Sequence, residues 1–386
     1  MNMDISKFSP FNKVGNPFQR IHYFRLAEKY PRFNFMLSLL SATFGIVLLL
    51  LFPWLLFTRP SELYDTVIHA NELKDWIDAG IELVLIILGG GFSWALYKIK
   101  FAVPTGLDIT EEKFPHLHKI ITELREEFGN PKIDRIILRD DFEIRVVKTP
   151  RSGMPFLSTS TLIIGLPVLL TMSPLYFRAL LARRIGQLST RHTPFTTRLY
   201  FLNDIWLQFK NSTRQSKNKF IVLLNTFFRL YSPFYQSVLM PLLQKEELEA
   251  DRYGMDLVNH SDMVECIVYE EVVARFLKNK YWPKIYHMAK RSKTPEFLPY
   301  SQMTKVVKAG ITDEEISQSV QAALKVEHNV TESMPTLSVR LNHLGHAKPL
   351  PPKRLSKTAA EFLLGNMQGK IIEMFDKRWL KKISHK

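Results

Sequence analysis

Histidine, cysteine and clustered charge are the residue types in this chain whose spacing could do chemistry. His116 and His118 stand on either side of Leu117. Two residues apart on a helix they face different directions, so they read as surface residues rather than as paired metal ligands. His192 has no partner at helical spacing and reads as a structural histidine. Cys266 is the only cysteine, set in the apolar stretch VECIVYE without a nearby histidine, where a buried thiol fits better than a nucleophile. A lone cysteine also excludes a disulfide framework and any Cys-rich zinc module. A serine hydrolase of the α/β type would need a G-x-S-x-G elbow, which the chain lacks. The one glycine cluster, Gly89 to Gly91, falls inside an apolar run and forms no phosphate-binding turn.

What remains is charge. The 386 residues carry 52 Lys and Arg against 37 Asp and Glu, a net +15. The first 100 residues hold ten Lys/Arg and eight Asp/Glu, so +13 belongs to residues 101–386. Three segments concentrate it: Arg214 to Lys219 (RQSKNK), Lys278 to Lys293, and the terminal KRWLKKISHK. Beside anionic lipid such segments gain about 1 kcal/mol per charge. Nucleic acid is not the expected partner, because no recognised binding module accompanies the basic residues.

Two apolar runs must anchor whatever these residues do. Phe33 to Phe57 is almost uncharged, and Ala79 to Ile99 carries one acid, Glu82, near its start. At about 1.5 Å per residue each is long enough to cross a hydrocarbon core of about 30 Å. The first run is too long for a signal-peptide core and no small-residue cleavage site follows it. Six Lys/Arg precede Phe33, whereas the stretch between the runs is acidic. The positive-inside rule therefore places the N-terminus and the body of the chain in the cytoplasm, leaving the sequons at Asn211 and Asn329 unused. The expected organisation is a basic cytoplasmic segment at 1–32, a transmembrane helix at 33–57, a short extracytoplasmic loop at 58–78, a second transmembrane helix at 79–99, and a cytoplasmic body at 101–386.

Within the body, residues 111–130 have helical periodicity, with Leu117, Ile120, Ile121 and Leu124 on one face and Gly129 as the stop. IDRIILRDD and FEIRVVKTP read as strands, and TSTLIIGLPVLL (159–170) as a further, buried strand. Ser173 as N-cap and Pro174 at the first helical position open a helix through LYFRALLARRIGQLSTRH. Residues 219–243 are apolar but interrupted by Arg229 and Pro233, fitting either a buried helix pair or a segment that dips into the membrane. After Gln244 follows the amphipathic helix KEELEADRYGMDLVN, and most of the remainder reads as helical.

The order of these segments over residues 112–380 resembles the integral-membrane zinc metallopeptidases of the HtpX and CAAX prenyl endopeptidase type. FPHLHKIITEL is similar to the lead-in helix of that family, and IDRIILRDDFEIRVVKTP to its edge-strand hairpin. LIIGLPVLLTMSPLYFRALLARRIGQLSTRH resembles the strand and active-site helix, in which members read A-H-E-x-G-H-x-x-x-x-H. EELEADRYG resembles the E-x-x-A-D segment, and SMPTLSVRLNHLG the T-H-P-S-x-x-x-R-L stretch. The resemblance implies an α+β, mainly α-helical protein: two N-terminal transmembrane helices, then a zincin-like metallopeptidase domain with a small β-sheet.

In such a site two histidines at i and i+4 and a later glutamate bind Zn²⁺, and a Glu after the first His is the general base. The matching positions here are Arg183 for the first His, Arg184 for the Glu and Gln187 for the second His. Glu247 stands at the third ligand and Asp251 at the supporting acid. Gly186, His192, Pro335 and Arg340 match the family, whereas Met334 replaces a histidine. A guanidinium has no lone pair for a metal, and Arg184 cannot take a proton from water near neutral pH. Zinc is therefore not expected, and no other cofactor is implied. The implied role is that of an inactive pseudoprotease on the inner leaflet, binding or regulating a membrane protein or a partner protease. An active zinc endopeptidase with non-standard ligands and a basic membrane-surface module are the alternatives; the oligomeric state stays open. Two environments are open for Glu247: in contact with Arg183 in the place of the metal, or exposed with Asp251 on an acidic helix start.

Overall fold

The computed structural model describes residues 17–189, 194–214, 216, 218–291, 297–327, 332–346 and 348–384. His192 and Asn329 lie outside the described residues. After a first helix, α1 (Pro17–Lys29), come two helices long and apolar enough to cross a membrane, α2 (Pro31–Ile68) and α3 (Leu73–Lys98). Both run beyond the apolar stretches that mark them in the sequence. Most of 58–78, expected as a loop, is helical, and only residues 69–72 connect the two. Ion pairing explains the extension. Arg59 pairs with Glu62 on its own helix and lies 3.3 Å from Glu82 of α3, so charge beyond Phe57 is satisfied across the helical hairpin. Glu72 and Asp75 close α3 with a capping box.

A four-stranded mixed sheet follows. It is built from β1 (Leu107–Asp108), β2 (Arg135–Arg139), β3 (Ile144–Arg151) and β4 (Met154–Gly165), in the order β1-β2-β4-β3. β2 and β4 are parallel, and the other pairs antiparallel. The connection between β1 and β2 is α4 (Pro115–Glu127), which buries Leu117, Ile121 and Leu124 and ends at Gly129 and Asn130, both with positive φ. The strand expected over 159–170 is displaced: β4 begins at Met154 and stops at Gly165, and Leu166–Thr171 forms a short buried helix, α5. Pro167 accounts for the switch, since it has no N–H for a ladder but suits the first turn of a helix.

The helix carrying the substituted motif, α6 (Pro174–Gly186), starts as expected, with the Ser173 hydroxyl accepting from the Tyr176 amide at 3.2 Å. Its buried residues lie all round the cylinder, Tyr176, Ala179 and Leu181 among them. After α7 (Pro194–Thr213) comes a single long helix, α8 (Lys219–Met255), which absorbs 219–243 and the amphipathic segment after Gln244 as far as Met255, short of the expected end at Asn259. Pro233 and Pro241 lie inside it without ending it. Aromatic packing and polar contacts hold this helix: Phe220 meets Phe92 of α3 edge-on at 5.1 Å, Tyr231 donates to the Ser41 carbonyl of α2 at 2.6 Å, and Ser232 donates to the Trp206 carbonyl of α7 at 3.1 Å. Val222, Leu223, Leu230 and Phe234 are left exposed along its outer side.

Among the described residues that follow, the regular structure is helical and includes α9 (His260–Phe276), α10 (Trp282–Arg291), α11 (Pro299–Gly310), α12 (Asp313–Leu324), α13 (Leu337–His343), α14 (Ala359–Leu363) and α15 (Gln368–Ser384). A π-helical turn, Leu277–Tyr281, joins α9 to α10. One continuous apolar core runs from Ala42 of α2 to Trp379 of α15, with α6 inside it. The protein is thus mainly helical with a small mixed sheet, as the pattern of the sequence requires.

Candidate functional site

Five helices and one strand bring the substituted positions together. Gly186 allows the closest approach: a Cβ there would lie 2.5 Å from the Cβ of Tyr253, so glycine lets α8 press against the end of α6. This brings Glu247 and Asp251 of α8 beside Arg183. Arg183 is 1% exposed, Glu247 5% and Asp251 0%. Neither acid stands on a solvated helix start, because α8 begins 28 residues before Glu247 rather than just after Gln244.

The Arg183 guanidinium donates from Nη2 to Glu247 Oε2 at 2.7 Å and lies with Nε 2.9 Å from Asp251 Oδ1. The Nε–H finds no aligned acceptor, so the contact with Asp251 is charge pairing rather than a hydrogen bond. Nη1 lies 3.7 Å from Glu270 of α9, and Nη2 reaches the Met334 sulfur at 3.4 Å. Arg184 fills the other side. It donates from Nη1 to both Glu247 oxygens at 3.0 Å and to Gln187 Oε1 at 2.8 Å, and from Nε to the Ile144 carbonyl at 2.9 Å. Tyr200 of α7 donates to Glu247 Oε1 at 2.9 Å. Behind them Arg340 of α13 holds Asp251 in a bidentate fork, at 2.8 and 2.9 Å, and reaches Glu270 at 3.3 Å. Arg183, Arg184 and Arg340 thus face Glu247, Asp251 and Glu270, three cations against three carboxylates.

The electrostatics follow from this balance. Burial alone would raise the Glu247 carboxyl, but Arg184 and Arg183, with hydrogen bonds from Arg184 and Tyr200, outweigh it and hold the group at about 2. Burial pushes Arg183 down from its ordinary value against the pull of Asp251; a guanidinium stays charged regardless. Burial also disfavours the charged forms of Arg184 and Arg340, yet Glu247 and Asp251 respectively drive both above the ordinary value. At an effective dielectric of about 20, a contact near 3 Å is worth about 5 kcal/mol of attraction. That is comparable with the several kcal/mol needed to desolvate each ion. The assembled cluster is close to neutral in free energy, whereas the loss of one member leaves a buried charge uncompensated.

The residues present do not fit zinc. Arg183 supplies no lone pair, its Nη2 lies on the Glu247 oxygen that a metal would need, and Gln187 engages Arg184 and Glu247. Among the described residues no three His, Cys, Asp or Glu side chains come together as a ligand set. Little space is left: Glu143, Ile144, Arg183, Arg184 and Glu270 border a cavity of about 20 Å³, comparable with a single water. The sheet edge is covered as well. β3 is an outer strand, and of its carbonyls Ile144 accepts from Arg184 and Lys148 from Gln208 of α7 at 2.8 Å.

Of the residues singled out in the sequence, Arg183, Arg184, Gln187, Glu247, Asp251 and Arg340 all belong to this cluster. His116 is exposed, and His118 Nε2 bonds the Ile109 carbonyl at 3.0 Å. Cys266 is buried, its thiol pushed up by burial. Tyr200 and Glu270 were not singled out. Glu270 sits in the doublet YEEVVAR, where nothing local distinguishes it from Glu271, and Tyr200 carries no sequence signal of its role. Compared with known proteins, the chain matches no family model, no curated protein and no solved structure.

Arg183→Ala should destabilise the protein by about 3–5 kcal/mol, the cost of orphaning a buried charge. Glu247→Gln in the same chain should recover part of this. Thermal melting in detergent measures both, and an unchanged melting temperature for Arg183→Ala would contradict the pairing. Because Glu247 titrates at about 2 rather than at its ordinary 4.5, its stabilisation is complete above 4.5 and is lost as pH falls towards 2. Acid unfolding of Glu247→Gln should accordingly be shallower across that interval.

Proposed function

We propose that this chain is a membrane-anchored pseudoprotease: a relative of the HtpX-type metallopeptidases that keeps a zincin-like domain and uses it to bind or regulate a membrane protein or a partner protease. The observation that carries the reading is the Arg183–Glu247 contact of 2.7 Å inside a closed, charge-balanced cluster. A guanidinium stands where the resemblance puts a zinc ligand, and it supplies the positive charge that the carboxylates need. Arg184, at the general-base position, is engaged on both Glu247 oxygens and on the Ile144 carbonyl. It neither accepts a proton nor leaves β3 free to pair with an extended peptide, as strand addition would need.

Two apolar helices support the membrane anchor. The charge asymmetry around them favours a cytoplasmic N-terminus and body, with the basic surface turned to an anionic inner leaflet. A surface role is favoured over a cleft, because the pocket around Arg183 is nearly filled. An active endopeptidase with unfamiliar ligands is the reading to test against.

The purified protein should hold no stoichiometric zinc and should cleave no unfolded protein substrate, with or without a chelator. Metal analysis and a proteolysis assay decide it: stoichiometric zinc together with chelator-sensitive cleavage would overturn the proposal.

A further inference from the structure

β3 and β4 turn through Ser152 and Gly153, with φ of 51° and 72°, the two positive values of a tight two-residue hairpin. Beyond it the register slips. Arg151 is opposite Met154, but Pro150 is opposite Ser158, so Pro155, Phe156 and Leu157 have no partners on β3. The bulge turns Phe156 and Leu157 outward, 59% and 51% exposed, while Pro155 is buried.

The place of this tip in the fold says what covers it. A Cβ on Gly153 would collide with the Leu96 carbonyl of α3, so the turn is seated against the last turn of that helix. Leu96 precedes the helix end at Lys98 by about 3 Å of rise. On the same turn Trp94 and Tyr97 are exposed, and the Lys98 ammonium lies 4.5 Å over the Trp94 ring. Amphipathic aromatic rings of this kind prefer the headgroup level of a bilayer. Lys98, Lys100 and Arg151 are exposed around them, a cationic collar suited to anionic headgroups.

We propose that the tip of the β3–β4 hairpin is a membrane wedge, in which Phe156 and Leu157 enter the headgroup–acyl boundary of the bilayer that α3 crosses. The wedge rests on α3 being a span. It gives the domain a second attachment to the lipid through the strand whose other end is held by Arg184. The sheet is thereby fixed against the membrane surface, and the depth reached is that of interfacial elements, about 5–10 Å.

Single cysteines introduced as Phe156→Cys and Leu157→Cys carry an environment-sensitive NBD label, and the unlabelled parent chain checks that buried Cys266 does not react. Ile87→Cys, exposed on α3, marks the span, and Glu327→Cys, exposed on the body, marks water. The full-length protein is placed in phosphatidylcholine–phosphatidylglycerol vesicles containing nitroxide lipids. Labels at 156 and 157 should be blue-shifted, shielded from iodide, and lose emission most to a nitroxide near the headgroup. If they behave like the label at 327 while the label at 87 is quenched by a deep nitroxide, the span stands and the wedge is wrong. If the label at 87 also behaves as in water, α3 is not a span and the wedge falls with it. Shielding of 156 and 157 from both iodide and nitroxide would mean a protein partner instead of lipid, and would equally overturn the proposal.

Discussion

A permanently charged guanidinium with almost no access to water is the constraint on which this structure turns. Arg183 cannot shed its proton, so its surroundings must supply compensating charge or the helix that carries it cannot be buried. The compensation comes from several elements: Glu247 and Asp251 from α8, and Glu270 from α9. Those carboxylates need further cations, which Arg184 and Arg340 provide. Each group is both a requirement and a remedy. The positions of α6, α8, α9 and α13 are therefore coupled through one cluster, in addition to the apolar core around them.

The same cluster reaches the sheet. Arg184 ties the start of β3 to α6 through the Ile144 carbonyl, Gln208 ties its middle to α7, and the turn that follows β3 abuts α3 at Gly153. A strand held at three places is a rigid strut between the charged centre and the apolar hairpin of α2 and α3. Two carbonyls of the outer strand β3 and most of the space beside Arg183 are occupied.

Much of this was legible in the sequence where local chemistry decides structure. Ser173 with Pro174 fixed the start of α6, the spacing of Leu117, Ile121 and Leu124 fixed α4, and the two apolar runs marked α2 and α3. The substituted positions Arg183, Arg184 and Gln187 and the retained Glu247 and Asp251 could be set against the family pattern because each group has helical spacing, at the end of α6 and within α8. Features that depend on tertiary partners could not be read in the same way. Continuity of α8 through Pro233 depends on Ser41, Trp206 and Phe92, which are distant in sequence. The end of β4 at Gly165 looked like the middle of an apolar run, since a buried strand and a buried helix share composition. Glu270 and Tyr200 acquire their roles only when α9 and α7 pack against α6 and α8.

The central proposal is that the Arg183 guanidinium gives Glu247 and Asp251 the positive charge that a zinc ion would supply in the family the sequence resembles. It is tested most directly by rebuilding the ligands, with Arg183→His, Arg184→Glu and Gln187→His combined in one chain. Positions 183 and 187 lie one turn apart near the end of α6, and Glu247 already reaches both, so two imidazoles and a carboxylate would surround one point. Metal analysis of the folded triple variant should find stoichiometric zinc that survives gel filtration. A folded triple variant that takes up none would show that the cluster around Arg183 is a structural ion network with no metal site beneath it.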